Sequence, residues 1–497
     1  MQGTTSSPMR RQPTPIGPAR ALLVLVMGLF VAVVLPIVLR GAPLKDDFGL
    51  CASPRWNSTA ANVIHELLSE QGAVRLPGRL LQVAFISGLC GEVPFGLLIL
   101  VPLLLTLGVA LLLRGLLRDL DLPAPWPEIG AALWLLQPLG TEAAVWPVQL
   151  NISLGLCLAL VALRAAHRSR LGWAAAATIG ACGLLEQVIF ALPLATWLVA
   201  PPHDRRRPTA LIGGIVGAVL AVYLRWPGEN VRTAVALRDR LGAVVAEPAW
   251  YVRFPVIGLG LYSIPMAVRW AFPVSLALLV GGLTAGAAAG PALLPGGGAG
   301  QQRPKGTLRS ALVVVSLLLL VNIPLLTTLP HPDSPRTFTP VWLLVAALAA
   351  LVGARVRWRR PRLAVGVAGL CAAGMLLSMA LSVWVRLQTA DFNEASARWL
   401  AEQVREGGVA AVCGVPRTVV TPAPNGAFAL HELHEPTSEE ATVLYYTGRN
   451  LKIRRVGVYW QESCPQPPEV DLSVSFSDLR RRSMVDSAIG NTTQETR

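Results

Sequence analysis

Charge is scarce in this chain, and lysine is scarcer still. Only 14% of the 497 residues are charged, against 53% hydrophobic. A soluble protein of this length would carry far more charge, so soluble enzymes and soluble binding modules are excluded. Lys45, Lys305 and Lys452 are the only lysines among 43 basic residues, a bias we attribute to genome composition. No CxxC pair or Cys/His cluster occurs, so the sequence indicates no metal site. A glycine-rich phosphate loop and a dinucleotide fingerprint are also missing, which argues against a cytosolic nucleotide as partner. No internal repeat is visible, which weighs against a transporter built from repeats.

What is present is a series of apolar runs long enough to cross a bilayer, recurring from residue 21 to about 385. The net charge of +14 is unevenly spread. Residues 385–497 hold 12 basic and 14 acidic side chains, so the apolar part carries +16. Its arginines cluster in short loops, which is the signature of membrane topology and not of a nucleic-acid surface. Reading those clusters as cytoplasmic predicts spans over 21–39, 94–113, 128–146, 149–164, 209–227, 272–294, 310–328, 340–354 and 363–384. Between "RAAHRSR" and "PPHDRRR" some thirty apolar residues are too few for two full spans and a turn, so a short or kinked hairpin is expected there.

The expected fold is therefore an α-helical polytopic membrane protein of about eleven segments, the hairpin included, with a small extracytoplasmic α/β domain at its C-terminus. Residues 1–20 form a cytoplasmic tail ahead of an uncleaved first helix, and 21–384 form the membrane domain, with a long outer loop over 40–92. Residues 385–480 form the α/β domain, with "EASARWLAEQVREGG" helical and "VAAVCGV" and "RRVGVYW" as strands. Residues 481–497 are read as disordered. The predicted location is the cell (inner) membrane, with the N-terminus cytoplasmic and the C-terminus outside.

Of seven cysteines, Cys157, Cys182 and Cys371 fall within apolar helices as packing residues. Cys51, Cys90, Cys413 and Cys464 fall outside the membrane, an even number that permits two disulfides, most simply Cys51–Cys90 and Cys413–Cys464.

The polar residues that matter are those in expensive places. Asp46 and Asp47, in "LKDDFG", stand just beyond the first span. They form either a polar turn flanking a helix or a pair in which neighbouring carboxylates raise one another's pKa, leaving one able to take a proton as a general base. Glu142, in "QPLGTEAAVWPVQLNIS", lies in an apolar setting beside Trp146, Gln149 and Asn151, and Glu186 lies at the tip of the short hairpin. An acid within a membrane segment costs ~2.5–3.5 kcal/mol on insertion scales and marks a functional site by default. The ordinary alternatives are an interfacial acid for Glu142 and a buried ion pair for Glu186. Arg336, in "PHPDSPRTFTP", precedes a late span; it is either a phosphate ligand or an arginine snorkelling to the headgroups.

"DDF" after the first span, "QPLGTEAAVW" closing the third, "LLEQVIFALP" in the hairpin and "DSPRTFTP" before a late helix together resemble the GT-C superfamily of integral membrane glycosyltransferases. In plan the chain is similar to protein O-mannosyltransferases and lipid A aminoarabinose transferases. That resemblance implies a sugar moved from a polyprenyl-phosphate donor to an acceptor hydroxyl of a glycan, lipid or protein at the outer face. An aspartate of the first outer loop, Asp46 or Asp47, would be the base, and Arg336 would lie at the donor phosphate. Glu142, Trp146, Gln149, Asn151 and Glu186 would bind substrate. The chain departs from the family pattern where Thr337 and Phe338, not tyrosine, follow Arg336, and where "PVQLNIS" replaces a Gly-Arg pair. No cofactor is assigned, and assistance by a divalent cation stays open. The rival reading is a polytopic transporter or lipid flippase, which shares the many helices and the broken hairpin.

Overall fold

Pro18 and Gly41 bracket the first helix. Pro18 opens α1 (Pro18–Arg40), where its fixed φ suits a first turn and its missing N–H costs nothing. Gly41 closes it in the left-handed region at φ 57°, its N–H returning to the Ile37 carbonyl. One stripe of α1, Leu23, Val26, Phe30, Val34 and Ile37, is buried. Leu25 and Leu39 on other faces remain exposed. A helix apolar on all sides yet buried on one is a candidate membrane span. The computed structural model of the protein describes residues 17–43, 46–56, 58–68, 76–136, 143–225, 339–354, positions scattered between 369 and 402, and 409–413, 436–450, 452–455 and 472–473.

The described chain is predominantly helical. After α1 come α2 (Asp46–Trp56), α3 (Thr59–Leu68), α4 (Leu76–Leu89), α5 (Phe95–Asp119) and α6 (Trp126–Leu136). A 3-10 turn over Pro147–Gln149 leads into α7 (Leu150–His167), followed by α8 (Leu171–Leu184), a second 3-10 turn over Glu186–Val188, α9 (Leu192–Val199) and α10 (Arg206–Arg225). Then come α11 (Thr339–Gly353) and α12 (Pro436–Thr447). Among the described residues, three helical stretches are long and apolar enough to cross a membrane: Pro18–Arg40, Phe95–Asp119 and Pro147–His167. At 1.5 Å per residue, the 23 residues of α1 reach ~34 Å, beyond a hydrocarbon core of ~30 Å.

These helices form an up-and-down bundle whose ends are fixed by close contacts. Gly96, at the start of α5, packs on the end of α1 so tightly that a Cβ there would overlap the Val38 carbonyl oxygen. Halfway along, buried polar groups find partners across helices, as an apolar medium demands. The Trp134 indole donates to the Thr106 carbonyl at 3.0 Å, Thr106 pairs with Ser153 at 3.2 Å, and the Trp342 indole donates to the Leu133 carbonyl at 3.0 Å. The same Trp342 contact, with Gly353 set against Trp126, makes α11 antiparallel to α6. The Thr339 end of α11 thus shares an end of the bundle with Leu136 and Gly41, which we call the Asp47 end. Asp119 marks the other.

The third span was expected over about 128–146; helix is described over Trp126–Leu136 and again at 143–145, and 137–142 lie outside the described residues. The second span runs past the expected limit at 113. α5 runs to Asp119, because Arg118 and Asp119 are engaged in ion pairs instead of being released into a loop. Every described residue between 369 and 402 is helical, on both sides of the expected limit at 384, and those from 394 on fall in "EASARWLAEQVREGG", which was expected to be helical. Beyond it, β1 (Val409–Cys413) is flanked in parallel by β2 (Lys452–Arg455) and β3 (Leu472–Ser473), in the order β2-β1-β3. "VAAVC" is β1; of "RRVGVYW" only Arg454 and Arg455 lie among the described residues. The spans expected over 272–294 and 310–328 lie outside them.

Candidate active site at the Asp47 end

The paired aspartates open α2. Asp46 is its first residue, and Asp47 is fully buried. Only five residues separate Arg40, the last of the first helix, from this turn. α2 packs against α4, against the 3-10 turn Pro147–Gln149, and against α12. Cys51 and Cys90 are disulfide-bonded, with Cα atoms 5.2 Å apart, which ties α2 to the end of α4. The Ser87 hydroxyl of α4 donates to the Leu50 carbonyl at 2.9 Å. A short helix so restrained presents its first turn rigidly.

Next to it lies the 146–151 segment. Trp146 and Gln149 are buried, and Asn151 begins α7 partly buried. Gln82 of α4 donates to the Val148 carbonyl at 2.5 Å and to Asn151 Oδ1 at 3.1 Å. Asn151 Nδ2 donates in turn to the Leu184 carbonyl at 3.2 Å. Asn151 is therefore a strut between α4 and the hairpin tip. Leu185 presses on α7 at Gly155, and Glu186 follows as the first residue of the 3-10 turn. The hairpin returns to its starting level, where His167 Nδ1 donates to the Val199 carbonyl at 2.7 Å. The helices of this hairpin, 14 and 8 residues long, are each too short to cross a bilayer.

The structure thus gathers α2 with Asp46 and Asp47, the Trp146–Gln149 turn, Asn151 and the backbone of Glu186 at one end of the bundle. Glu142, Arg336 and Cys464 lie outside the described residues, and Cys413 ends β1.

Sequence reasoning missed the C-terminal contributors to this end. Arg40 donates to Asp391 at 3.0 Å and to Glu394, and Arg398 holds the same Glu394 at 2.8 Å. Burial opposes ionisation of Glu394, but the hydrogen bonds from Arg40 and Arg398 outweigh it and hold its carboxyl below the usual range. Phe48 meets Tyr445 edge-on and Tyr446 at a tilt, with centroids 5.7 Å away in each case. Burial pushes the Tyr445 phenol up; Arg40 opposes that shift, and the charges of Asp47 and Glu394 add to it. The signal available in sequence was slight: Asp391 and Glu394 three residues apart on a helical pattern, and an arginine closing the first span.

At the Asp119 end the acids have a different setting. Glu128 is fully buried, accepting from Arg114 at 3.0 Å and from Arg118. Asp119 accepts from Arg164 at 2.8 Å and Arg168 at 2.7 Å. Gly115 clears the path, as a Cβ there would stand 2.6 Å from the Arg164 guanidinium. Glu128 also escaped the sequence reading, though the i,i+4 arginines 114 and 118 announced an acidic partner. Among the described residues no group of three His, Cys, Asp or Glu side chains is placed to hold a metal ion. Comparison of the chain with protein-family models, curated proteins and solved structures gave no match.

Proposed function

We propose that the chain is a GT-C-type membrane glycosyltransferase, moving a sugar from a polyprenyl-phosphate donor to an acceptor hydroxyl at the outer face of the cell membrane. The observation that carries this reading is the fully buried Asp47 in the first turn of a helix that follows the first span at once and is restrained by a disulfide. The Asp47 end would face outward, in line with the formation of Cys51–Cys90 in an oxidising compartment. The full count of about eleven spans, and an extracytoplasmic α/β domain built on the β2-β1-β3 sheet, belong to the same proposal.

In the reaction, the acceptor O–H bond breaks and its proton passes to the carboxylate of Asp46 or Asp47. The acceptor oxygen bonds the anomeric carbon as the bond from that carbon to the lipid phosphate breaks. One displacement inverts the anomeric configuration. General-base assistance supplies typically ~10²–10⁴-fold. Arg336, three residues ahead of α11, would stabilise the charge gained by the departing phosphate. Glu142 and Glu186 would bind hydroxyls, and Trp146 would offer an apolar face to the sugar ring.

The test is to incubate the purified full chain with a radiolabelled polyprenyl-phosphate sugar and candidate acceptors. Label transferred to an acceptor, with lipid phosphate released, supports the enzyme. Movement of intact lipid across a vesicle without release would establish the flippase instead.

A further inference from the structure

We propose that the C-terminal segment is a working part of the Asp47 end, with Tyr445 and Tyr446 as positioning residues for the Asp46–Asp47 turn. The proposal rests on the reading of those aspartates as the acids of sugar transfer, and it adds a contributor that this reading does not contain.

Two separate contacts carry it. The first is aromatic. Phe48 directly follows Asp47 and is 2% exposed, enclosed by Ala52, Ala441 and Leu444 with Tyr445 and Tyr446 at its border. The two tyrosines stand 5.1 Å apart at 87° to one another, so three rings form an edge-to-face cluster of defined geometry. Small residues at 52 and 441 let α2 and α12 approach closely. Because Phe48 is adjacent in sequence to Asp47, fixing its ring fixes the turn that bears the acids.

The second contact is ionic. Arg40 is gripped by Asp391 and Glu394, and Arg398 steadies Glu394 from its own helix. Residues 41–47 are therefore bracketed, at Arg40 and at Phe48, by side chains from the far end of the chain. A linker of seven residues held at both ends keeps its acids in one place. Released at either end, it does not.

The experiment uses the full chain in lipid nanodiscs and compares wild type with Tyr445→Ala, the Tyr445→Ala/Tyr446→Ala double variant, the corresponding Phe variants, and Arg40→Gln. Amide hydrogen exchange is read over 46–56, and transfer from a labelled polyprenyl-phosphate sugar is measured as kcat and KM. The double Ala variant should exchange ~10-fold faster across α2 and lose ~10–100-fold in kcat, as expected for misplacing a catalytic group. Its donor KM should change by less than about twofold, as binding energy for the donor lies elsewhere. Phe at both positions should restore exchange and kcat together, since the ring and not the hydroxyl meets Phe48. Arg40→Gln leaves the aromatic contact in place and should give a smaller loss in the same two readouts. Unchanged exchange in 46–56 for the Ala variants, or Ala variants with wild-type kcat, would overturn the proposal. Absence of transfer by the wild type would overturn the reading of the acids, while the exchange data would still decide whether the C-terminal helix holds their turn.

Discussion

The two ends of the bundle bury acids in different settings. At one, Glu128 and Asp119 each sit between two guanidinia, so both acids have counter-charges. At the other, Asp47 is buried in the opening turn of a short helix that a disulfide ties down and that Phe48 anchors in an aromatic cluster. A carboxylate held by two guanidinia is favoured in its ionised form and is the poorer acceptor for a substrate proton. The contrast teaches that burial alone does not mark a functional acid. What surrounds the carboxylate does.

The contrast can be broken, or sharpened, by substitution. The largest effect on stability is expected at the disulfide. Cys51→Ser with Cys90→Ser removes a bridge across 39 residues, worth ~4 kcal/mol by loop entropy, and should lower the melting temperature and frees α2 to lose activity as well. Next comes Glu128→Ala, which leaves two arginines facing each other. It should cost about 3 kcal/mol, the low end for a broken buried pair because both guanidinia are partly exposed. Thermal melts should show that loss while turnover per folded molecule stays at the wild-type level. A fall in turnover without a fall in stability would erase the distinction between the two ends. Gly96→Ala should cost ~1–3 kcal/mol through forced separation of α1 and α5.

The smallest effect is that of pH on the Arg40 tie. Glu394 titrates below the ordinary glutamate value of ~4.3. Its contribution is therefore complete above that value and is lost as pH falls through the lower folded value. Hydrogen exchange around residues 386–402 should rise on acidification below about pH 4 and stay flat between pH 5 and 8.

Much of the bundle was legible in sequence because a bilayer leaves few choices. α11 was expected over 340–354 and is found at Thr339–Gly353, and the hairpin was expected to be short and is. Local rules account for both: apolar length, basic flanks, proline and glycine. What stayed hidden is non-local. The Arg40–Asp391 pair joins residues 351 positions apart, and nothing in either segment names the other. Tyr445 and Tyr446 look like ordinary helix residues until Phe48 is placed against them. Gln82 and Asn151 are likewise joined across 69 positions, so the bracing of the hairpin tip by Asn151 was not to be read from sequence.

The central claim is that a carboxylate at the Asp47 end takes the proton of an acceptor hydroxyl. The most direct test is to measure sugar transfer by the separate Asp46→Asn and Asp47→Asn variants, each checked for wild-type melting temperature. The account predicts that one of them loses transfer by at least ~100-fold while its fold is intact. Full activity in both variants would contradict it.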